Sequence, residues 1–215
     1  MADKINTSEQ YDITVNACKG IFIRKYADYG MSCRALRKCS IIDQIFIKAC
    51  RIRTLQESGH NNVGDSIWSE FCGIVNYCVI SLLIREKSLK EILTENKVTM
   101  QIKSFDSDGN NGIAESKKNI IIDVSWGVDG ISLVYDDVVK DAKKVMLAKN
   151  EDYGEIWRNL TVESMTDFIL TKLLRVKEIQ RNGGKTMISE GIDSNLIDIM
   201  NYAIFCIILI EDTAE

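Results

Sequence analysis

Lys25-Tyr26-Ala27-Asp28-Tyr29-Gly30 returns as Lys149-Asn150-Glu151-Asp152-Tyr153-Gly154, and this recurrence decides how the chain is organised. Shifting the sequence on itself by 124 positions (152 − 28) also places Tyr11 on Tyr135, Asp12 on Asp136 and Arg34 on Arg158. Ser40 then meets Ser164, Asp43 meets Asp167, Lys48 meets Lys172, Arg51 meets Arg175 and Gly59 meets Gly183. About a third of the positions between 11 and 59 are identical, which marks an internal duplication. After one inserted residue in the second copy, Asn76-Tyr77 falls on Asn201-Tyr202, and both copies finish in an apolar run.

Each copy reads as three helices. The first covers residues 11–26 or 135–150 and ends near the Asp-Tyr-Gly triplet, whose glycine suits a left-handed helix stop. The second is expected to start at Ser40 or Ser164, where Ser-x-x-Asp has the spacing of a capping box with Asp43 or Asp167 in the reciprocal position. Gly59 and Gly183-Gly184 end it. The third, residues 69–84 or 194–210, is apolar around most of its circumference and must lie deep in a core. The expectation is a mainly α fold: two tandem three-helix repeats forming a pseudo-two-fold bundle, over residues 1–85 and 135–215. Between them, residues 86–134 alternate or run in Ile and Val and are expected to form a small β-containing insertion; Ile131 to Tyr135 follows a Val-Asp-Gly turn. The loop from Asp106 to Gly112 starts like a calcium loop, but its glycine comes one place late and Lys117 stands at the twelfth position, so a plain turn explains it better.

Composition narrows the partners. A hydrophobic fraction of 46% over 215 residues is enough for a real core. The net charge of -4 and pI of about 5.2 give no bulk attraction to duplex nucleic acid or an anionic membrane. The polar start at residues 1–10 lacks the apolar stretch of a secretory signal, and the most apolar runs fall short of the roughly 20 residues a membrane span requires. Seven cysteines form no Cys-x-x-Cys pair and read as small buried apolar residues of a reducing, cytoplasmic protein. Large apolar helices in a small chain make a homo-oligomer plausible.

The candidate site residues carry charge or amides into apolar helices. Lys48 and Arg51, with their twins Lys172 and Arg175, project among apolar neighbours on the second helix, where a cation needs carboxylates or a ligand's phosphates to face it. Asp198, Asn201 and Tyr202 form one polar stripe at i, i+3 and i+4, matched in copy one by Asn76 and Tyr77. They suit a nucleotide pocket or a hydrogen-bond network between the repeats. Glu190 and Asp193 lead into the same helix; with Asp198 they offer oxygen ligands for magnesium, or they complement the helix dipole. Copy one has Gly73 where copy two has Asp198, and Glu70 where copy two has Asn195, so the two halves are not equivalent. Gly183-Gly184-Lys185-Thr186 imitates the end of a phosphate-binding P-loop, yet Ile179 replaces its first glycine and a helix precedes it. His60, the only histidine, follows Gly59 in what reads as a surface turn.

The run from Lys149 through Asp152-Tyr153-Gly154, Trp157-Arg158, Lys172, Arg175, Gly183-Gly184-Lys185-Thr186, Ser189-Glu190-Gly191-Ile192-Asp193 and Asp198 to Asn201-Tyr202-Ala203 resembles the nucleotide-modification-associated domain 1 family. Copy one, with residues 6–12 and 43–49, resembles the N-terminal half of two-copy members from Bacteroidetes and phages. That family is similar, more distantly, to MazG-like all-α nucleoside triphosphate pyrophosphohydrolases, which hold magnesium on Glu-x-x-Glu and Glu-x-x-Asp pairs. Asp198 matches one aspartate; Asn195 stands at its partner glutamate, and Glu163 and Asp167 are spaced four apart. The resemblance implies a nucleotide-binding protein with a phosphate-recognising pocket. Lys48, Arg51, Asn76, Tyr77, Arg158, Lys172, Arg175, Asn201 and Tyr202 are its expected ligand contacts. Such a protein would sequester or sense a nucleotide signal, as phage anti-defence proteins do. The alternative is a magnesium-dependent pyrophosphohydrolase with Asp198 and Glu190 catalytic and Asp198, Glu190 and Asp193 on the metal.

Overall fold

A computed structural model describes residues 6–62, 64–84, 127–186 and 190–214. Its regular elements are helical: α1 (Thr7–Tyr29), α2 (Lys38–Ser58), α3 (Ile67–Leu83), α4 (Val128–Tyr153), α5 (Val162–Arg181) and α6 (Ile192–Ala214). A single 3-10 turn follows α1 (Ser32–Ala35) and α4 (Ile156–Asn159). No strand occurs among the described residues, and none of the helices is long and apolar enough to cross a membrane. The expected β-containing insertion lies outside the described residues, apart from its C-terminal end. There the expectation fails: residues 128–134 belong to α4, because Ile131, Val134 and Tyr135 share a helical spacing and are all buried.

Helix ends follow local chemistry. The Asn6 side chain accepts from the Glu9 amide at 2.9 Å and starts α1 four residues earlier than the periodicity indicates. Gly30 and Gly154 end α1 and α4 at φ 60° and 66° with ψ of -152° and -166°. That combination is the extended, essentially glycine-only region, not the left-handed helical one expected. The capping boxes at Ser40 and Ser164 are not formed. α2 starts two residues before Ser40, and Thr161 caps α5 by accepting from the Ser164 amide at 3.1 Å. The aspartates expected as caps are used elsewhere: Asp43 pairs with Lys177 at 2.6 Å and Asp167 with Arg53 at 3.6 Å.

The third helix of each copy forms the centre. α3 and α6 pack on each other, α2 flanks α3, α5 flanks α6, α2 also meets α5, and α1 packs against α4. Ile74, Val75 and Val79 of α3, and Ile199, Ala203 and Ile207 of α6, are fully buried there. Full burial of such a side chain contributes roughly 1.5–3 kcal/mol. The copies also exchange polar contacts reciprocally. The Tyr11 hydroxyl donates to Asn201 Oδ1 at 2.8 Å, and the Tyr135 hydroxyl donates to Asn76 Oδ1 at 2.9 Å. Each amide then donates to a backbone carbonyl, Asn201 to Ala142 and Asn76 to Cys18. Lys19 pairs with Asp136 at 2.6 Å and Lys143 with Asp12 at 2.7 Å.

All seven cysteines are free thiols. Cys18, Cys72, Cys78 and Cys206 are buried as expected, but Cys39 is exposed, and Cys33 and Cys50 are partly buried.

Candidate functional site

A cleft of about 480 Å³ opens in copy one between the end of α1, the following 3-10 turn, and the facing sides of α2 and α3. Along α3 its wall runs from Glu70 and Gly73, where Lys48 lies, to Tyr77 and Ile80, and Lys25, Tyr26, Tyr29 and Asp65 also line it. Lys48 Nζ sits 3.0 Å from Glu70, and Arg51 shares the same carboxylate while lying 3.5 Å from Asp65. Glu70 is 4% exposed, so both cations are needed to hold its charge. Lys25 lines the cleft without an ion pair among the described residues. Burial, followed by the nearby Cys33 and Tyr29, raises the Tyr77 pKa, which keeps its hydroxyl protonated as a donor.

The equivalent positions in copy two carry side chains that contact one another. Asp198 replaces Gly73, and its carboxylate receives Lys149 Nζ at 2.5 Å and Lys172 Nζ at 2.6 Å. Burial works against the Lys149 charge, but the hydrogen bond and charge of Asp198 prevail and its pKa is raised. Trp157 replaces Cys33, and Phe205 replaces Ile80. Their rings stack at 4.2 Å between centroids and 4° between planes. Phe168 replaces Gln44 and leans on Tyr202, ring centroids 5.7 Å apart. Gly73, Cys33, Ile80 and Gln44 of copy one thus correspond to bulkier residues in copy two.

The family model described as Nucleotide modification associated domain 1 matches the chain twice, at residues 25–85 and 149–210, one match on each copy. The chain belongs to that family. No curated protein and no solved structure matches it.

Within this two-copy member of the nucleotide modification associated domain 1 family, the expected site residues do not converge on one pocket. Lys48 and Tyr77 line the copy-one cleft, with Arg51 beside them on Glu70. Asn76 touches the cleft, but its amide, like that of Asn201, serves the tyrosine contacts between the copies. Arg158 is bound to internal partners: Glu155 at 2.6 Å, Thr7 at 2.8 Å, Gln10 at 2.6 Å and the face of Trp157. Lys172 is held by Asp198, while Arg175 is exposed and not buried among its apolar neighbours as its spacing suggests.

The oxygen donors do not fit a magnesium ion as they are placed. Asp198 already lies between two ammonium groups, and Asn195 uses its amide nitrogen on the Gly191 carbonyl at 2.8 Å. Asp193 lies five residues before Asp198, about 140° around the helix at 100° per residue. It lines a different, smaller cleft beside Lys38. Glu190 is exposed at the start of α6. Among the described residues no group of three His, Cys, Asp or Glu side chains stands close enough to share a metal.

Sequence reading alone passed over Lys25 and Lys149 as site residues, together with the swaps at Cys33/Trp157 and Ile80/Phe205. The signal was available in the alignment of the copies. It lies in the positions where the two copies differ in side-chain size.

Proposed function

We propose that the protein binds a small anionic nucleotide in the copy-one cleft and sequesters or senses it without cleaving it. The observation that carries the proposal is Lys48 lying against Gly73 in a cleft that Lys25 also lines, where the matching residues of copy two place the Asp198 carboxylate between Lys149 and Lys172. Two ammonium groups beside an aromatic wall match a phosphate joined to a base. Membership of a family associated with nucleotide modification supports the same ligand class. The reciprocal contacts of Tyr11, Tyr135, Asn76 and Asn201 are what a pseudo-two-fold arrangement of the copies produces, and they support a rigid frame around the cleft.

Magnesium-dependent pyrophosphohydrolysis, the alternative, has no placement of donors in its favour among the described residues, so catalysis forms no part of the proposal. Titration calorimetry with a panel of nucleotides and cyclic dinucleotides, with and without magnesium, tests it. The expected result is saturable, metal-independent binding with the ligand recovered intact by mass spectrometry. Failure of every ligand in the panel to bind would defeat the proposal, and metal-dependent turnover would replace it with the hydrolase.

A further inference from the structure

We infer that copy two is an internal template for the ligand of copy one. The copy-one cleft takes one nucleoside 5′-phosphate per chain, with its flat ring where copy two holds the Trp157 indole and its phosphate where copy two holds the Asp198 carboxylate. The inference rests on the nucleotide-binding reading and deepens it.

The template is read position by position. Cys33 and Trp157 occupy the same place in the two 3-10 turns, and Ile80 and Phe205 the same place in α3 and α6. In copy two these positions carry a near-parallel aromatic stack, with Trp157 only 4% exposed. In copy one they border open space, so an added planar ring finds an apolar floor on Ile80 and the Tyr77 ring alongside. Exposing or burying such a ring is a large term, since aromatic side chains bury more area than any others.

The charged end is matched in the same way. Asp198 presents one compact anion to two lysines, and Lys25 and Lys48 are their counterparts. One phosphoryl group therefore suffices to bridge them. Lys48 now lies across Gly73 and pairs with Glu70 through the flexible far end of its side chain, so a phosphate would compete with Glu70 for that ammonium while Arg51 stays on the carboxylate.

Spacing ties the two ends together. Asp198 and Phe205 are seven residues apart on one face of α6, as Gly73 and Ile80 are on α3, a rise of about 10 Å. A free phosphate fills only the charged end and an uncharged nucleoside only the apolar one. The two joined through a ribose fit both.

Two substitutions transplant copy two's plugs into copy one. Gly73→Asp supplies the anion and Cys33→Trp supplies the ring. Calorimetry with the nucleoside 5′-monophosphates that bind the unaltered protein should show one site per chain, and each substitution should weaken that binding at least about tenfold, equal to about 1.4 kcal/mol. Circular dichroism checks that both variants keep their helices. A second measurement needs no variant: the bound nucleotide should slow alkylation of Cys33, mapped by mass spectrometry, and leave labelling of exposed Cys39 unchanged. Unaltered affinity in both variants with unslowed labelling of Cys33 overturns the template while nucleotide binding stands. Absence of any nucleotide binding to the unaltered protein removes the nucleotide reading itself.

Discussion

The far end of the Lys48 side chain lies across the face of Gly73, so close that a β-carbon there would stand 2.6 Å from Lys48 Cε. In copy two the same helix position carries Asp198, and Lys172 meets its carboxylate instead of its backbone. One glycine therefore leaves Lys48 to pair with Glu70 across the open cleft of copy one, while in copy two Lys172 pairs with the carboxylate that stands at the glycine's position.

Lys25→Ala should weaken nucleotide binding about tenfold, or about 1.4 kcal/mol. The side chain is exposed and unpaired among the described residues, so stability should stay within about 0.5 kcal/mol of the unaltered protein. Calorimetry and a thermal melt on one preparation separate the two effects. A large loss of stability would show that Lys25 holds the fold together.

Asp198→Gly places copy one's glycine in copy two, where Asn195 stands at the position of Glu70. It leaves Lys149 and Lys172 without their carboxylate, and the expected cost is about 2 kcal/mol. That is less than for a fully buried pair because the Lys149 side chain is 50% exposed. Urea denaturation reads the change directly, and an unchanged midpoint would mean the triad contributes nothing.

Tyr11→Phe and Tyr135→Phe each remove the hydroxyl of a fully buried tyrosine that donates to a buried amide. Each should cost roughly 1–3 kcal/mol, because an Asn oxygen is left buried without its donor. Similar losses from the two variants are expected, since the two contacts are each other's counterparts. A loss in one variant only would show that the copies are not held together symmetrically.

Alkaline pH should unfold the protein early. Burial pushes the Tyr11 and Tyr135 hydroxyls far above the ordinary tyrosine value of about 10. The folded state therefore keeps protons that the unfolded chain releases. The corresponding stability is complete below about pH 10 and is lost as the pH rises above it. Lys149, also raised, acts with the same sign. Tyrosinate absorbance should appear for these two residues only together with loss of helix; ionisation at the ordinary value with helices intact would contradict their burial.

Much of the architecture was legible because helical periodicity and the 124-residue repeat are both statements about which faces are buried. The deep position of α3 and α6 follows from runs such as Phe71 to Leu83, apolar on every side. The capping boxes that the spacing predicts at Ser40 and Ser164 do not form, because the aspartates three residues on pair with cations of the other copy, a long-range competition that local spacing does not reveal. Ile131 looked like a strand residue because β-branched residues suit both states, and burial against the bundle chose the helix. The site was legible as residue types but not as a place. Lys172, Asp198, Lys48 and Glu70 were visible in the sequence, whereas which carboxylate reaches which lysine depends on how three helices cross.

The position of a bound nucleotide decides the central claim most directly. A crystal structure of the protein with a nucleoside 5′-monophosphate should place the phosphate within hydrogen-bond reach of Lys25 and Lys48 and the base against Ile80, with Trp157 undisturbed on Phe205. A nucleotide found between Lys149 and Lys172 with Asp198 displaced, or seated away from both copies' clefts, would contradict it.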